Sequence, residues 1–299
     1  MTSKTHSFGL KAGLVMVGLL TQFNALAKDV MTPEKLWEVQ RVSPLGLNTA
    51  KTHVIYQVTT PSIKDNNFSK KVYQVAINDG QTQLLEGYQG LLIDEKISPD
   101  GSKKLFHESV AIEKILSSDI HDQLDQANAY VFDDLNYRHW DSWNDGSFNH
   151  VFYQDLTTEE KVDIMKGEAF TSPQSPFGGP EDYIWGPKGE NIYYVSKKLQ
   201  GAAYVTSTNT DIYRYNLDSK KTSNLTEGNP GYDTSPAFSS TGQLAWLRMD
   251  EPGYEADKND VVVMFGNEAV NITAHWDETV SSFLWSSDGQ SIYLIAPIA

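Results

Sequence analysis

The 299-residue chain contains no cysteine. That excludes disulfide stapling, a thiolate nucleophile and any cysteine-ligated metal. Basic residues are scarce: 24 Lys+Arg stand against 39 Asp+Glu, a formal net charge of −15. So acidic a chain is a poor binder of a phosphate backbone, and nucleic acid is not expected as a partner. The longest apolar run, Ala12 to Leu20, is too short to span a bilayer. Common catalytic signatures are missing as well. There is no G-x-S-x-G nucleophile elbow, no H-E-x-x-H, no Gly-rich phosphate loop and no calcium-loop pattern. None of the seven histidines pairs with another at ligand spacing; even His139 and His150 are separated by an expected turn. No metal or cofactor is expected.

Two features organise what is present. The first is at the N-terminus. Lys4 and Lys11 precede the Ala12–Leu20 run, no acidic residue occurs before Asp29, and Ala25-Leu26-Ala27 reads as a small-x-small cleavage site. This is the layout of an exported leader over residues 1–27, with a mature chain over 28–299. Export without cysteine suits a bacterial periplasm or exterior, with no membrane association beyond the leader.

The second feature is repetition. After a short helix expected near Pro33–Val39, capped by Thr32 with Pro33 in the first turn, one unit recurs. A small polar turn ends in Gly and a β-rich run follows. It occurs at Ser98-Pro99-Asp100-Gly101, Gly186-Pro187-Lys188-Gly189, Ser239-Ser240-Thr241-Gly242 and Ser286-Ser287-Asp288-Gly289. Weaker copies are Ser43-Pro44-Leu45-Gly46 and Asn144-Asp145-Gly146. Pro or Ser opens such a turn, Asp accepts backbone hydrogen bonds, and Gly takes the left-handed position. Further strand signals follow at Val72–Ile77, Val151–Leu156, Asp211–Leu217 and Val261–Phe265.

A period of about 40–50 residues with a Gly turn before a strand is the pattern of propeller blades. The fold expected is an all-β, incomplete β-propeller of about five to six four-stranded antiparallel blades. A β-sandwich or another array of hairpins is the alternative. Six turns imply about five complete blades and the start of a sixth. Residues 111–135, with Ile112, Ile115, Leu116, Ile120 and Leu124 at roughly helical spacing, read as an insertion or irregular connection. A ring left open exposes strand edges, so the chain is expected to be the N-terminal piece of a longer protein.

Two loops combine carboxylates with Gly and aromatic residues. They are Pro176–Asp182, with Glu181 and Asp182, and Met249–Asp257, with Glu251, Glu255 and Asp257. Such loops can cradle a cationic amine; the alternative for Gly253–Asp257 is an inter-strand loop whose carboxylates bind backbone amides. Glu255 is the first candidate, then Asp257 and Glu251, then Glu181 and Asp182.

A long ordered series of segments carries a family resemblance. It comprises Arg138-His139-Trp140-Asp141-Ser142-Trp143, Asn149–Phe152, Pro176–Trp185, Ser207–Tyr213, Gly231–Ser239 and Gly253–Asp260. Together, over about residues 31–299, these resemble the N-terminal propeller of prolyl oligopeptidase family serine peptidases. The similarity is greatest to the exported bacterial acylaminoacyl-peptidase-like and dipeptidyl-peptidase-like branch. The resemblance implies a following α/β-hydrolase domain that supplies the catalytic triad and is missing here. The propeller would gate access of short peptides, and propeller carboxylates would hold a substrate's free amino group. Arg138, His139 and Trp140 would line the interface to the hydrolase domain; packing between blades is the alternative for the Arg138–Trp143 stretch. No catalytic residue is carried over, because no position here matches the triad. A stand-alone, TolB-like periplasmic propeller acting as a protein-binding scaffold is the alternative.

Overall fold

The computed structural model describes residues 30–297 apart from 49, 87–95 and 125. The expected leader at 1–27 lies outside them. The described residues fall into two compact units, one up to residue 93 and one from residue 94.

In the first unit, the Thr32 hydroxyl accepts the Lys35 N–H at 3.2 Å and opens helix α1, Pro33–Glu38. A four-stranded antiparallel meander follows: β1 (Arg41–Leu47), β2 (His53–Ser62), β3 (Asn67–Ala76) and β4 (Thr82–Leu84). The turn between β1 and β2 is built on Asn48, whose side-chain oxygen accepts the N–H of Thr52 and of His53. Lys51, with φ of 55°, takes the left-handed position there. Ser43–Gly46 is therefore not a turn. It lies inside β1, where the pairing register shifts between Pro44 and Gly46.

The second unit repeats the meander. Its first sheet holds β5 (Lys96–Ile97), β6 (Lys103–Ala111), β9 (Ser147–Asp155) and β10 (Lys161–Asp163). Between β6 and β9 the chain makes an excursion. The excursion contains α2 (Ser117–Ile120) and a small hairpin of β7 (Arg138–His139) and β8 (Ser142–Trp143). The next sheet holds β11 (Tyr183–Trp185), β12 (Asn191–Ser196), β13 (Asp211–Asn216) and β14 (Lys221–Asn224), with helix α3 (Gly201–Thr206) between β12 and β13. The following one holds β15 (Asp233–Phe238), β16 (Leu244–Arg248), β17 (Asp260–Phe265) and β18 (Glu268–Asn271). A pair, β19 (Ser282–Trp285) and β20 (Ile292–Ile295), ends the described chain. The fold is an all-β propeller of four-stranded antiparallel sheets.

The strong Gly turns each join the first strand of a sheet to its second, and the further strand signals are the third strands. The two weak copies explain why the turns outnumber the sheets. Gly46 sits in a bulge, and Gly146 closes the excursion: β6 pairs with β9 without a break from Lys103↔Asp155 to Ala111↔Ser147. Four complete sheets and two strands of a fifth result among the described residues. The insertion expected at 111–135 is present, but its helical part is limited to α2 and a 3₁₀ turn at Asp122–Leu124.

The turns also explain how successive sheets align. Gly189, Gly242 and Gly289 have φ of 72°, 87° and 70°. A Cβ on Gly189 would meet Pro99, one on Gly242 would meet Pro187, and one on Gly289 would meet Ser240 and Thr241. Each turn thus packs on the turn of the preceding sheet. Two tryptophans reinforce this: Trp185 Nε1 donates to the Lys96 carbonyl at 2.7 Å, and Trp285 Nε1 donates to the Ala237 carbonyl at 3.2 Å.

The strands of the middle sheets are apolar on both faces because both faces are covered. In β12, Ile192 and Tyr194 join a core with Leu105, Val151 and Met165 on one side. Val195, on the opposite face, joins Ile212, Trp246 and Val262. In β16 and β17, Ala245, Leu247, Val261 and Val263 turn instead toward Val280 and Phe283.

A meander alternates its connections between two ends. The tight Gly turns occupy one end of the second unit. The long connections, at residues 112–146, 164–182, 197–210, 225–232 and 249–259, occupy the other.

Candidate functional site

Two adjoining cavities open among these long connections. The smaller, about 350 Å³, is lined by Gln174, Phe177, Gly178, Glu181, Asp182, Tyr232, Thr234, Ser235, Met249, Glu255 and Asn259. Three carboxylates and no Lys, Arg or His line it. Two of its amide oxygens, Gln174 Oε1 and Asn259 Oδ1, are buried without a hydrogen-bond partner. The lining is thus acidic and without a basic side chain, the chemistry that suits a ligand bearing positive charge. The larger cavity, about 630 Å³, shares Gln174, Tyr232 and Glu255 with the smaller one and adds Arg138, His139, Pro176, Lys197, Tyr204 and Tyr254 among others.

The expected site residues separate. Glu255, Glu181 and Asp182 come together in the smaller cavity. Arg138 and His139 line the larger one. Glu251 and Asp257 line neither. Asp257 Oδ2 accepts the N–H groups of Asp250 and Glu251, both at 2.9 Å, and braces its own loop. Burial works against the Asp257 carboxylate, but backbone N–H groups from Glu251, Lys258 and Asp250 outweigh it and hold its pKa below the ordinary value. For Asp257 the alternative raised from sequence, a carboxylate binding backbone amides, describes its place.

Glu255 is exposed, on the loop between β16 and β17. Its charge raises the pKa of the Tyr232 hydroxyl, already raised by burial. It also opposes the lowering that burial imposes on Lys197. Lys197 is held to one side: its Nζ donates to the Ser207 carbonyl at 2.5 Å and lies 4.2 Å from the Tyr204 ring centroid.

Asp182 is different: it is only 2% exposed. Its Oδ2 accepts the Gln174 N–H at 2.8 Å. Burial, with a smaller push from Glu181, raises its pKa to about 7 against the opposing Gln174 amide and Lys96. Gly178 fits beside it only because it has no side chain; a Cβ there would overlap the Asp182 carboxylate and the Gln174 backbone.

The Arg138–Trp143 hairpin forms part of the rim. Arg138 Nε donates to the Trp140 carbonyl at 2.8 Å, and its guanidinium lies 5.6 Å from the Trp143 ring centroid. Trp140, at the tip with φ of 48°, is 69% exposed. Its ring meets that of Phe177 edge-on at 6.1 Å, and Phe177 is 68% exposed. The packing between blades weighed for this stretch does not describe Trp140. His150 is not at the site: it is fully buried, with Nδ1 on Asp163 and Nε2 on the Glu168 carbonyl.

Several lining residues carry no site signal in the sequence. Gln174, Lys197, Tyr204 and Tyr232 meet only because separate connections converge. Asp233, inside the Gly231–Ser239 segment, carries none either. It is fully buried at the head of β15, and its two oxygens accept Trp246 Nε1 at 2.6 Å and Asn229 Nδ2 at 2.9 Å. Its neighbours Tyr232, Thr234 and Ser235 line the smaller cavity.

No family profile matches the chain. Among known proteins, it is 31% identical to a dipeptidyl-peptidase 5 of Porphyromonas gingivalis, covering 89% of this chain and 46% of that one. It is 30% identical to a dipeptidyl-peptidase 5 of Porphyromonas endodontalis, covering 77% and 40%. The chain thus spans less than half the length of these relatives. Among solved structures, it superposes on the acylaminoacyl peptidase of Pyrococcus horikoshii with a TM-score of 0.57, at 15% identity, over 89% of this chain and 45% of that one. Fold and relatives agree: the chain resembles, over most of its length, the propeller part of a prolyl oligopeptidase family peptidase.

Proposed function

We propose that the chain is the substrate-gating propeller of an exported serine exopeptidase, and that its carboxylate-lined cavity receives the free amino group of a short peptide. The observation that carries this reading is the lining of that cavity: Glu181, Asp182 and Glu255 with no Lys, Arg or His. An ammonium group satisfies such a site, whereas an N-acylated terminus brings one N–H and no charge. The lining therefore favours dipeptidyl over acylaminoacyl release, in line with the names of the relatives. Glu255 is the main ligand, since it is exposed and reaches both cavities. Glu181 supports it.

The larger cavity then accommodates the side chains of the peptide. The Trp140–Phe177 rim and Arg138 and His139 face the hydrolase domain that completes the enzyme. That domain supplies the base-activated serine and the oxyanion hole, which this sequence does not contain. Cleavage occurs in the complete protein, in the periplasm or outside the cell.

The test uses the full chain. No labelling by a serine-directed fluorophosphonate and no peptide turnover are expected. Retained binding of Ala-Ala-amide, lost in Glu255→Gln, is expected alongside. Serine labelling, or equal binding by the variant, would overturn the reading.

A further inference from the structure

Asp182 borders the amine cavity but is positioned to support it rather than to grip a ligand. The segment from Gln174 to Asp182 closes on itself. Gly178 N donates to the Gln174 carbonyl at 2.6 Å, Asp182 N donates to the Gly179 carbonyl at 2.9 Å, and the Asp182 carboxylate returns to the Gln174 N–H. Between these bonds sit Phe177, Gly178 and Glu181, which form one wall of the cavity. The carboxylate is almost wholly withdrawn from solvent.

We infer that Asp182 is a positioning residue whose proton state tunes the cavity: its carboxyl braces the Gln174–Asp182 wall through the Gln174 N–H in either state, and when ionised it adds negative charge beneath the amine. This rests on the amine reading above. The charged and titratable groups around it come from each neighbouring element. Glu181 lies on its own turn, Lys96 on β5, Asp233 at the head of β15, and Glu255 across the cavity. Tyr183, next in sequence, engages His107 of β6 through its hydroxyl at 3.0 Å. Burial is the dominant influence and places the titration of Asp182 near neutrality, at about 7. The charged form therefore fills in as pH rises toward 8, and amine affinity rises with it.

The experiment measures the affinity of the full chain for Ala-Ala-amide from pH 5.5 to 7.5, in wild type, Asp182→Asn and Glu255→Gln. The probe's own amine titrates above this window, at about 7.7–8.0, and cancels in the ratio of wild type to Asp182→Asn. That ratio is expected to rise about fivefold across the window, the scale of one added charge in a partly screened cavity. Asp182→Asn should still bind, and Glu255→Gln should not. A flat ratio would refute the proposal, as would loss of binding in Asp182→Asn at every pH, which would make Asp182 a direct ligand.

A ligand-free readout separates this inference from the amine reading. The Gln174 amide proton shift in NMR should follow a titration near neutral pH in wild type and not in Asp182→Asn. A wild type that binds no amine while Gln174 titrates would sink the amine reading and leave the change of proton state at Asp182 standing. No titration at Gln174 would sink the inference itself.

Discussion

Two buried carboxylates, Asp182 and Asp233, flank the same cavity, and amidation costs each of them a different amount. Both are raised from 3.8 to about 7, chiefly by burial. A carboxyl group whose folded pKa is raised lends stability below its unfolded value and loses it as pH rises through the folded value. For Asp182 the shift is about three units, a ceiling of about 4 kcal/mol at 1.36 kcal/mol per unit. Asp182→Asn keeps an acceptor for the Gln174 N–H and cannot ionise. Wild type should therefore be the more stable at pH 4.5 and lose about 2–4 kcal/mol relative to the variant by pH 8. Asp233→Asn behaves otherwise. Both carboxylate oxygens of Asp233 accept donors, from Trp246 and Asn229. An amide sets its own N–H₂ against one of them, which adds a penalty of about 1–3 kcal/mol to the same pH-dependent difference. Urea unfolding followed by tryptophan fluorescence, from pH 4.5 to 8, reads both. A pH-independent difference between wild type and Asp182→Asn would mean that Asp182 does not change proton state on folding in this range.

Other consequences concern the scaffold. Gly178→Ala should distort the cavity wall and abolish amine binding while the transition of the rest of the unit persists; calorimetry beside binding checks this. Trp185→Phe removes the N–H that reaches Lys96 on the preceding sheet and should cost about 1 kcal/mol, a shift measurable in urea. Ile212→Ala, in the core between two sheets and fully buried, should cost about 2–5 kcal/mol.

The propeller was readable because its signal is local. A turn such as Ser98–Gly101 carries its own chemistry: the Ser98 hydroxyl donates to Asp100, which accepts the Ser102 N–H, and Gly101 supplies a φ of 75°. The same local logic misled at Gly46 and Gly146, whose turn-like residues serve a bulge and the end of an excursion. Only pairing over nine residues of β6 and β9 reveals that one sheet, not two, spans the insertion. A second repeat escaped notice although it is written in the residues. Asp211 pairs with Thr226 beside Asn224, and Asp260 pairs with Thr273 beside Asn271. The site was partly readable. Glu255, Glu181 and Asp182 stood out as carboxylates in Gly- and aromatic-rich loops. The division between Glu255, which faces the cavities, and Asp257, which braces a loop, depends on where one loop's backbone N–H groups point, and residue type does not encode that.

Selection of a free amine by the carboxylate-lined cavity is decided by calorimetric titration of the full chain with Ala-Ala-amide and with its N-acetyl counterpart at pH 7.5. The free amine should bind saturably, the acetylated peptide at least tenfold more weakly, a difference of about 1.4 kcal/mol or more, and Glu255→Gln should lose the preference. Equal affinity for the two peptides, or a preference that survives in Glu255→Gln, would contradict it.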